Sequence, residues 1–287
     1  MYQLYVKNAI GEMFDLTNSK ADFYVLSVQG LTVPEIKVNT KEFAGFDGSF
    51  YNSSKVGERN IVINFLLNGD IEASRQKLYR IFLIKRELTL YFKNKYRSLT
   101  IKGYPESIDG DLFVEREQIQ VSIICPRPFF EAENSIEAEL SDVINGLQFP
   151  LSIDSEGVSF SELYEFPLVV LINPGDVSCG AIITMQFLEV CRIPTIINVL
   201  TGDFLRIDTI FAQGDKVTIC TIPGKLSVVR YSAVTGKEKN ILGYFTNDSG
   251  WLTIAPGRNI FKFEDDDGNE GYNVKLEFKI SPLFGGV

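Results

Sequence analysis

Histidine is absent from all 287 residues. Without imidazole, Ser-His-Asp and Cys-His nucleophile activation and every imidazole metal site are excluded, and acid/base chemistry falls to carboxylates, lysine or tyrosine. Phosphate-cradling loops are also missing, since there is no G-x-x-x-x-G-K-[ST] segment and no G-x-G-x-x-G between a strand and a helix. Cysteine is sparse. Cys125, Cys179, Cys191 and Cys220 sit among apolar or β-forming neighbours with no C-x-x-C spacing, so they are expected to be buried free thiols rather than disulfides or metal ligands. Tryptophan occurs once, at Trp251, so the several aromatic platforms of a sugar-processing cleft are not offered; it is expected in the core or at an edge. No run free of charged residues exceeds 12, short of the roughly 18 to 20 that a membrane-spanning helix needs, and Met1–Leu16 lacks the basic and apolar blocks of a secretory signal. A soluble chain with no export signal of its own is expected. With 28 basic against 37 acidic residues the formal charge is −9, and no Lys/Arg cluster suits neighbouring phosphates, which argues against nucleic-acid binding. No catalytic, cofactor-binding or metal-ligating residue is assigned, and no enzyme activity is expected.

What is abundant is β-forming material. The 22 Phe and 12 Tyr stand beside many Val, Ile and Thr, side chains that fit a pleated, half-buried surface. Length and the 45% hydrophobic content favour two domains. In the first half, Arg59–Leu67 places Ile61, Ile63, Phe65 and Leu67 on one face. Gln118–Cys125 alternates, with Ile119, Val121, Ile123 and Cys125 inward. Strands are also expected at Glu87–Phe92 and Ser98–Lys102, with a hairpin turn at Asp109-Gly110. Between them, Asp70 caps an amphipathic helix over 70–85 carrying Leu78, Ile81, Phe82 and Lys85 on one face. Gly45–Gly57, rich in Gly, Ser and Asn without a period, reads as a long flexible loop.

The prolines of Cys125-Pro126-Arg127-Pro128 and the acidic, small stretch after them end this pattern. The expected division is a first domain over 1–130, a linker over 131–145 and a second domain over 146–287. From Phe149 the reading is almost pure β, with turn residues every eight to twelve or so positions, the mark of a β-sandwich. Strands are expected at Phe166–Ile172, Gly180–Leu188, Thr195–Val199, Phe204–Asp208, Lys216–Thr221, Lys225–Tyr231, Trp251–Ile254, Asn259–Glu264 and Asn273–Ile280. Gly-Asp pairs at Gly175-Asp176, Gly202-Asp203 and Gly214-Asp215 are shared turn chemistry. The run Asp265-Asp266-Asp267-Gly268-Asn269-Glu270 spaces oxygen ligands like a calcium loop, but its glycine is misplaced and the twelfth position is Leu276, so a solvated hairpin is expected. A carboxylate pair for glycoside hydrolysis leaves no motif, and no constellation here points to a cleft.

With these residues in view, the chain resembles the phage distal tail protein family of siphophage tail components, tail-tip or baseplate hubs. In the first half the resemblance lies in the order of Gly30 and Pro34, the Gly-rich loop, the Arg59–Leu67 strand, Asn68-Gly69-Asp70 before a helix with Arg75, and the closing Ile124-Cys125-Pro126-Arg127-Pro128-Phe129-Phe130. In the second it lies in Asn173-Pro174-Gly175-Asp176, Cys179-Gly180, Thr201-Gly202-Asp203-Phe204-Leu205, Gly214-Asp215-Lys216-Val217, Ser249-Gly250-Trp251-Leu252, Pro256-Gly257-Arg258-Asn259 with Phe261, and the terminal Gly285-Gly286-Val287. The resemblance implies a mainly β, α+β chain: a ring-forming N-terminal β domain with one helix and a galectin-like or carbohydrate-module-like β-sandwich behind it. It implies a structural virion protein in the phage tail, assembled in the host cytoplasm as a homo-hexamer that connects tail tube to tail tip. Its implied partners are the tail tube protein and a tail-tip or tail-associated protein, with a receptor-binding protein as a further candidate. Six copies at −9 would carry a formal −54, which would repel DNA passing through such a ring. The alternative is a carbohydrate-binding module that recognises host cell-wall glycans through the second domain; binding of sugar by that domain separates the two.

Overall fold

The computed structural model describes residues 2–18, 22–45, 47–111, 114, 116–145, 161–268 and 271–287, with backbone only for 141–145 and 161–167. The chain is mainly β, with one α-helix among the described residues. In order run β1 (Gln3–Lys7), β2 (Met13–Asp15), β3 (Phe23–Gln29), β4 (Ile36–Lys41), β5 (Phe50–Val56) and β6 (Arg59–Leu67), then α1 (Ile71–Ile81). After it come β7 (Leu88–Lys93), β8 (Ser98–Gly110), β9 (Gln118–Cys125), β10 (Phe130–Ala132), β11 (Ile136–Glu139), β12 (Ser141–Asn145) and β13 (Ser161–Asn173). The remainder is β14 (Ala181–Phe187), β15 (Cys191–Arg192), β16 (Thr195–Asn198), β17 (Phe204–Arg206), β18 (Ile210–Phe211), β19 (Lys216–Cys220), β20 (Ser227–Ser232), β21 (Lys237–Asn240), β22 (Gly257–Glu264), β23 (Val274–Ile280) and β24 (Leu283–Phe284).

Two compact units result, Met1–Asn134 with Leu283–Val287, and Ser135–Pro282. This division differs from the sequence expectation at both ends of the second domain. The stretch 131–145, expected as a linker, is occupied by the end of β10 and by β11 and β12, because its acidic residues alternate with Ile136 and Ala138 along a strand paired to β23. The last five residues return to the first unit, where β24 pairs with β10. The expected start of the second domain, around Phe149, lies outside the described residues.

In the first unit the strand order is β2-β1-β7-β8-β9-β6-β3. The long β8 serves three partners, β7 through Ser98–Gly103, β9 through Tyr104–Gly110, and β10 through Leu99 and Thr100. Gly103 marks the changeover: a Cβ there would lie 2.6 Å from the Ile123 side chain and 2.9 Å from Cys125 Sγ, so only glycine lets the strands approach. Asp109-Gly110 is not the expected tight turn; it is still paired to Gln120 and Ile119, and the connection follows it. The core holds the inward residues of β6 and β9 with α1 against them. Phe65 meets Phe23 edge-on at 5.2 Å and Phe82 at 5.8 Å. Asp70 caps the helix by accepting from the Ala73 N–H at 3.1 Å. The helix ends four residues earlier than the periodicity predicts, because Lys85 sits at φ 60° and Ile84 points to solvent, so no further inward turn exists.

The second unit is a two-sheet sandwich. One sheet has the order β11-β23-β14-β19-β20-β21 and the other β12-β13-β22-β16-β17. Alternation on β14 and β23 buries Ile183, Met185, Leu276 and Phe278, and Phe278 stacks on Phe261 of the opposing sheet at 4.5 Å. Trp251–Ile254, expected as a strand, contributes only a bridge between Ile254 and Cys179. The Asp265 run is likewise not a hairpin, since β22 and β23 belong to different sheets and the run crosses between them; Asn269 and Glu270 lie outside the described residues.

Candidate assembly site

The segment between β3 and β6 leaves the first unit's main sheet and forms a separate hairpin, β4 paired with β5. The expected flexible loop over 45–57 is therefore half strand, with Phe46 outside the described residues. Both faces of the hairpin are exposed, and β5, which falls in the expected loop, shows no alternation, although Ile36, Val38 and Thr40 of β4 alternate with Lys37, Asn39 and Lys41. Its apolar side chains stand in solvent: Ile36, Val38, Phe50 and Tyr51 are 49–67% exposed. They are ordered locally, with Phe43 edge-on to Phe50 at 5.3 Å, Lys41 over the Phe43 ring, and Asn39 donating to Ser53 Oγ at 3.0 Å.

The root of this hairpin is fixed by Arg59, whose side chain shares the inward face of β6 with Ile61 and Ile63. Its Nη1 donates to the carbonyl oxygens of Gly30 at 2.5 Å and Thr32 at 2.7 Å, just before the hairpin begins. Its Nε donates to Pro128 O at 2.6 Å and its Nη2 to Gly285 O at 2.6 Å, while the guanidinium covers the Phe130 ring at 4.5 Å. Four backbone carbonyls from three chain segments thus converge on one cation that is 3% exposed. Burial pulls the Arg59 pKa down from its ordinary value, and burial pushes the neighbouring Cys125 thiol up to about 12 despite the charge beside it. Gly30 completes the root: at φ +80° any Cβ would lie 2.1 Å from Asn60 O. Arg75, the helix residue of the family pattern, pairs with Glu117 at 2.9 Å and ties α1 to the start of β9.

Sequence reasoning passed over Arg59 except as the first residue of a strand. The signal was present, since the alternation that turns Ile61 and Ile63 inward turns Arg59 inward too.

In the second unit the family's turn residues act as buried braces. Asn173 donates to Ile254 O and Val177 O and accepts from the Gly175 N–H. Asn259 bridges Ala255 and Gly257. Asp215, fully buried, accepts from the Ala212 and Ala233 N–H groups and from Arg230, which in turn lies over Phe211. Burial alone would raise the Asp215 pKa; these three hydrogen bonds hold it below the ordinary value. All four cysteines are free, three of them buried, with Cys179 pushed up to about 11 and Cys191 higher still by burial and the nearby Asp265. Trp251 is half-buried and stacks on Phe245 at 4.7 Å. Among the described residues no group of three His, Cys, Asp or Glu is placed to hold a metal, and no helix is long and apolar enough to cross a membrane.

Comparison with known proteins follows the same two halves. Residues 14–125 match the phage tail protein RIFT-related domain, and residues 174–280 match the siphovirus-type tail component, C-terminal domain. Both halves are thus phage tail modules, and they cover most of the chain between them. The chain belongs to the phage distal tail protein family. In fold it is similar to the Dit (gp 19.1) protein of SPP1, described as a paradigm of the hub adsorption apparatus in phages infecting Gram-positive hosts. That alignment has a TM-score of 0.69 and 13% identity over 98% of this chain and 99% of that one. It is also similar to chains of the phage p2 baseplate in its activated conformation. With Ca the TM-score is 0.50 at 10% identity, over 97% of this chain and 98% of that one; with Sr it is again 0.50 at 10% identity, over 98% of each chain. No curated protein matches the sequence. The chain is accordingly a siphovirus-type component of the phage tail.

Proposed function

We propose that this tail component closes into a homo-hexameric ring that joins the tail tube to the tail tip, and that the first unit makes the ring. The observation that carries this reading is the hairpin of β4 and β5, an arm with exposed apolar residues on both faces and a root held by Arg59. An isolated two-stranded hairpin is marginal in water, and exposed Phe, Tyr, Val and Ile gain stability when another surface covers them. A ring needs a heterologous contact, in which one surface meets a different surface of the next copy, and a projecting arm supplies one. The partners follow from that place: the tail tube protein on one side, a tail-tip or tail-associated protein on the other, and a receptor-binding protein as a further client. Assembly in the host cytoplasm before incorporation into the virion tail is part of the same reading, as is the absence of enzymatic activity.

The test is mass by multi-angle light scattering and negative-stain imaging of the full chain beside a variant in which residues 36–56 are replaced by a short Gly-Ser link. A ring of six from the parent and a folded monomer from the variant are expected. A monomeric parent at every concentration, or a ring that survives the replacement, overturns the reading.

A further inference from the structure

The outer face of the second unit's six-stranded sheet carries a groove of about 610 Å³ lined by Thr184, Gln186, Lys216, Tyr272, Lys275 and Glu277, among others. Register sets these side chains in rows across the strands. Gln186 is opposite both Lys275 and Lys216, and Lys216 is opposite Tyr231, so Lys275, Gln186, Lys216 and Tyr231 form one row on one face. In the next row, Thr184 and Glu139 each lie opposite Glu277. The first row spans four strands, roughly 14 Å at the usual strand spacing.

Three features set this face apart. Thr184, Gln186, Lys216, Lys275 and Glu277 form no side-chain hydrogen bond or ion pair among the described residues, whereas Lys279, one row further on, is paired with Glu137. The charges cancel, with Lys216 and Lys275 against Glu139 and Glu277, so neither an anion nor a cation is favoured along the whole groove. Donors, acceptors and groups that do both alternate along it, and two exposed rings flank them, Tyr272 at 66% and Tyr231 at 42% exposure. A protein partner would call for an apolar, aromatic centre, and here the centre is polar and the rings are peripheral.

We propose that this groove is a binding site for an uncharged, polyhydroxylated chain, that is, a neutral glycan. Its hydroxyls pair with Gln186, Thr184, the lysines and Glu277, and a sugar face lies on Tyr272. This assignment rests on the sheet face alone and is independent of the ring.

The full-length protein is screened on an array of neutral hexose and N-acetylhexosamine oligosaccharides, and hits are titrated calorimetrically. At least one neutral glycan is expected to bind, and Gln186→Ala and Tyr272→Ala are each expected to weaken it tenfold or more while leaving the melting temperature and the light-scattering mass unchanged. The exposed positions make misfolding of these variants readily distinguishable by melting. A blank array, binding confined to anionic glycans, or affinity that survives both substitutions overturns the assignment. So does a blank array accompanied by loss of a tail-tip protein complex in Gln186→Ala, which would make the face a protein contact. Because mass and glycan affinity are read separately, failure here and failure of the ring reading are distinct results.

Discussion

Arg59 donates to the carbonyl oxygen of Gly285 at 2.6 Å, a bond that reaches across 226 positions of sequence and ties the chain's last residues to the root of the exposed hairpin. Val287 adds a backbone bond to Leu31 O, and β24 lies beside β10. The first unit is therefore completed only when the second has been traversed. Replacing Arg59 by Ala removes the shared donor of four carbonyls at a largely buried junction, and a loss of about 3 kcal/mol in stability is expected. Arg59→Lys recovers only part, because one ammonium cannot present a planar fork to all four. Deleting Leu283–Val287 should destabilise as well, and combining it with Arg59→Ala should cost less than the sum, since the two share contacts. Denaturant titration of the four proteins checks this; strict additivity would show that the clamp does not act as a unit.

The second unit depends on Asp215. Its folded pKa is depressed, so the stabilisation it contributes is present above the ordinary aspartate pKa and is lost as pH falls through the lower folded value. The second unit's melting temperature is expected to drop below about pH 4. Asp215→Asn, which leaves Arg230 half-buried beside Phe211 without its anion, should lower stability by about 3 kcal/mol at pH 7 and flatten that acid limb. An unchanged acid limb in the variant would assign the pH dependence elsewhere.

Thiol chemistry should separate the cysteines. Cys125 and Cys179 are buried and their thiols are held protonated well above pH 8, whereas Cys220 is only half-buried. Alkylation of native protein, read by peptide mass spectrometry, is expected to label Cys220 first and the other three only on unfolding. Early labelling of Cys125 would mean that the clamp region opens.

How much of this was legible follows from which faces are buried. The strands β6 and β9 pair one buried face with one wetter face, so their alternation marked them residue for residue, and Asp70 announced the helix start. The hairpin of β4 and β5 buries neither face, and the polar centre of β5, Asn52-Ser53-Ser54, has no period of two to distinguish it from a loop. Ile136–Glu139 reads as acidic linker because its outward glutamates dominate a short edge strand, and the return of Leu283–Val287 depends on tertiary contacts that local pattern does not encode. Arg59 was legible by register but not by type, because a lone arginine on an apolar face declares no partner until the carbonyls of Gly30, Thr32, Pro128 and Gly285 are folded around it.

On the edge strand β11, Glu139 lies directly opposite Glu277 of β23, while two residues earlier Glu137 is opposite Lys279 and bonds it at 2.5 Å. Opposed residues of antiparallel strands share a face, so one position gains from attraction and the other loses from repulsion between carboxylates. Glu139 is exposed and Glu277 half-buried on the outer face, so water reaches the pair and keeps the repulsion small and screenable. Glu139→Lys should convert the repulsive pair into an attractive one and raise stability by about 0.5 kcal/mol, with the gain shrinking as salt is added. Glu137→Lys should do the reverse by placing two lysines opposite each other. Thermal melts at low and high ionic strength read both signs. A Glu139→Lys variant that melts lower than the parent at low salt would show that the carboxylate pair is not in conflict, and that Glu139 is held by something other than its cross-strand neighbour.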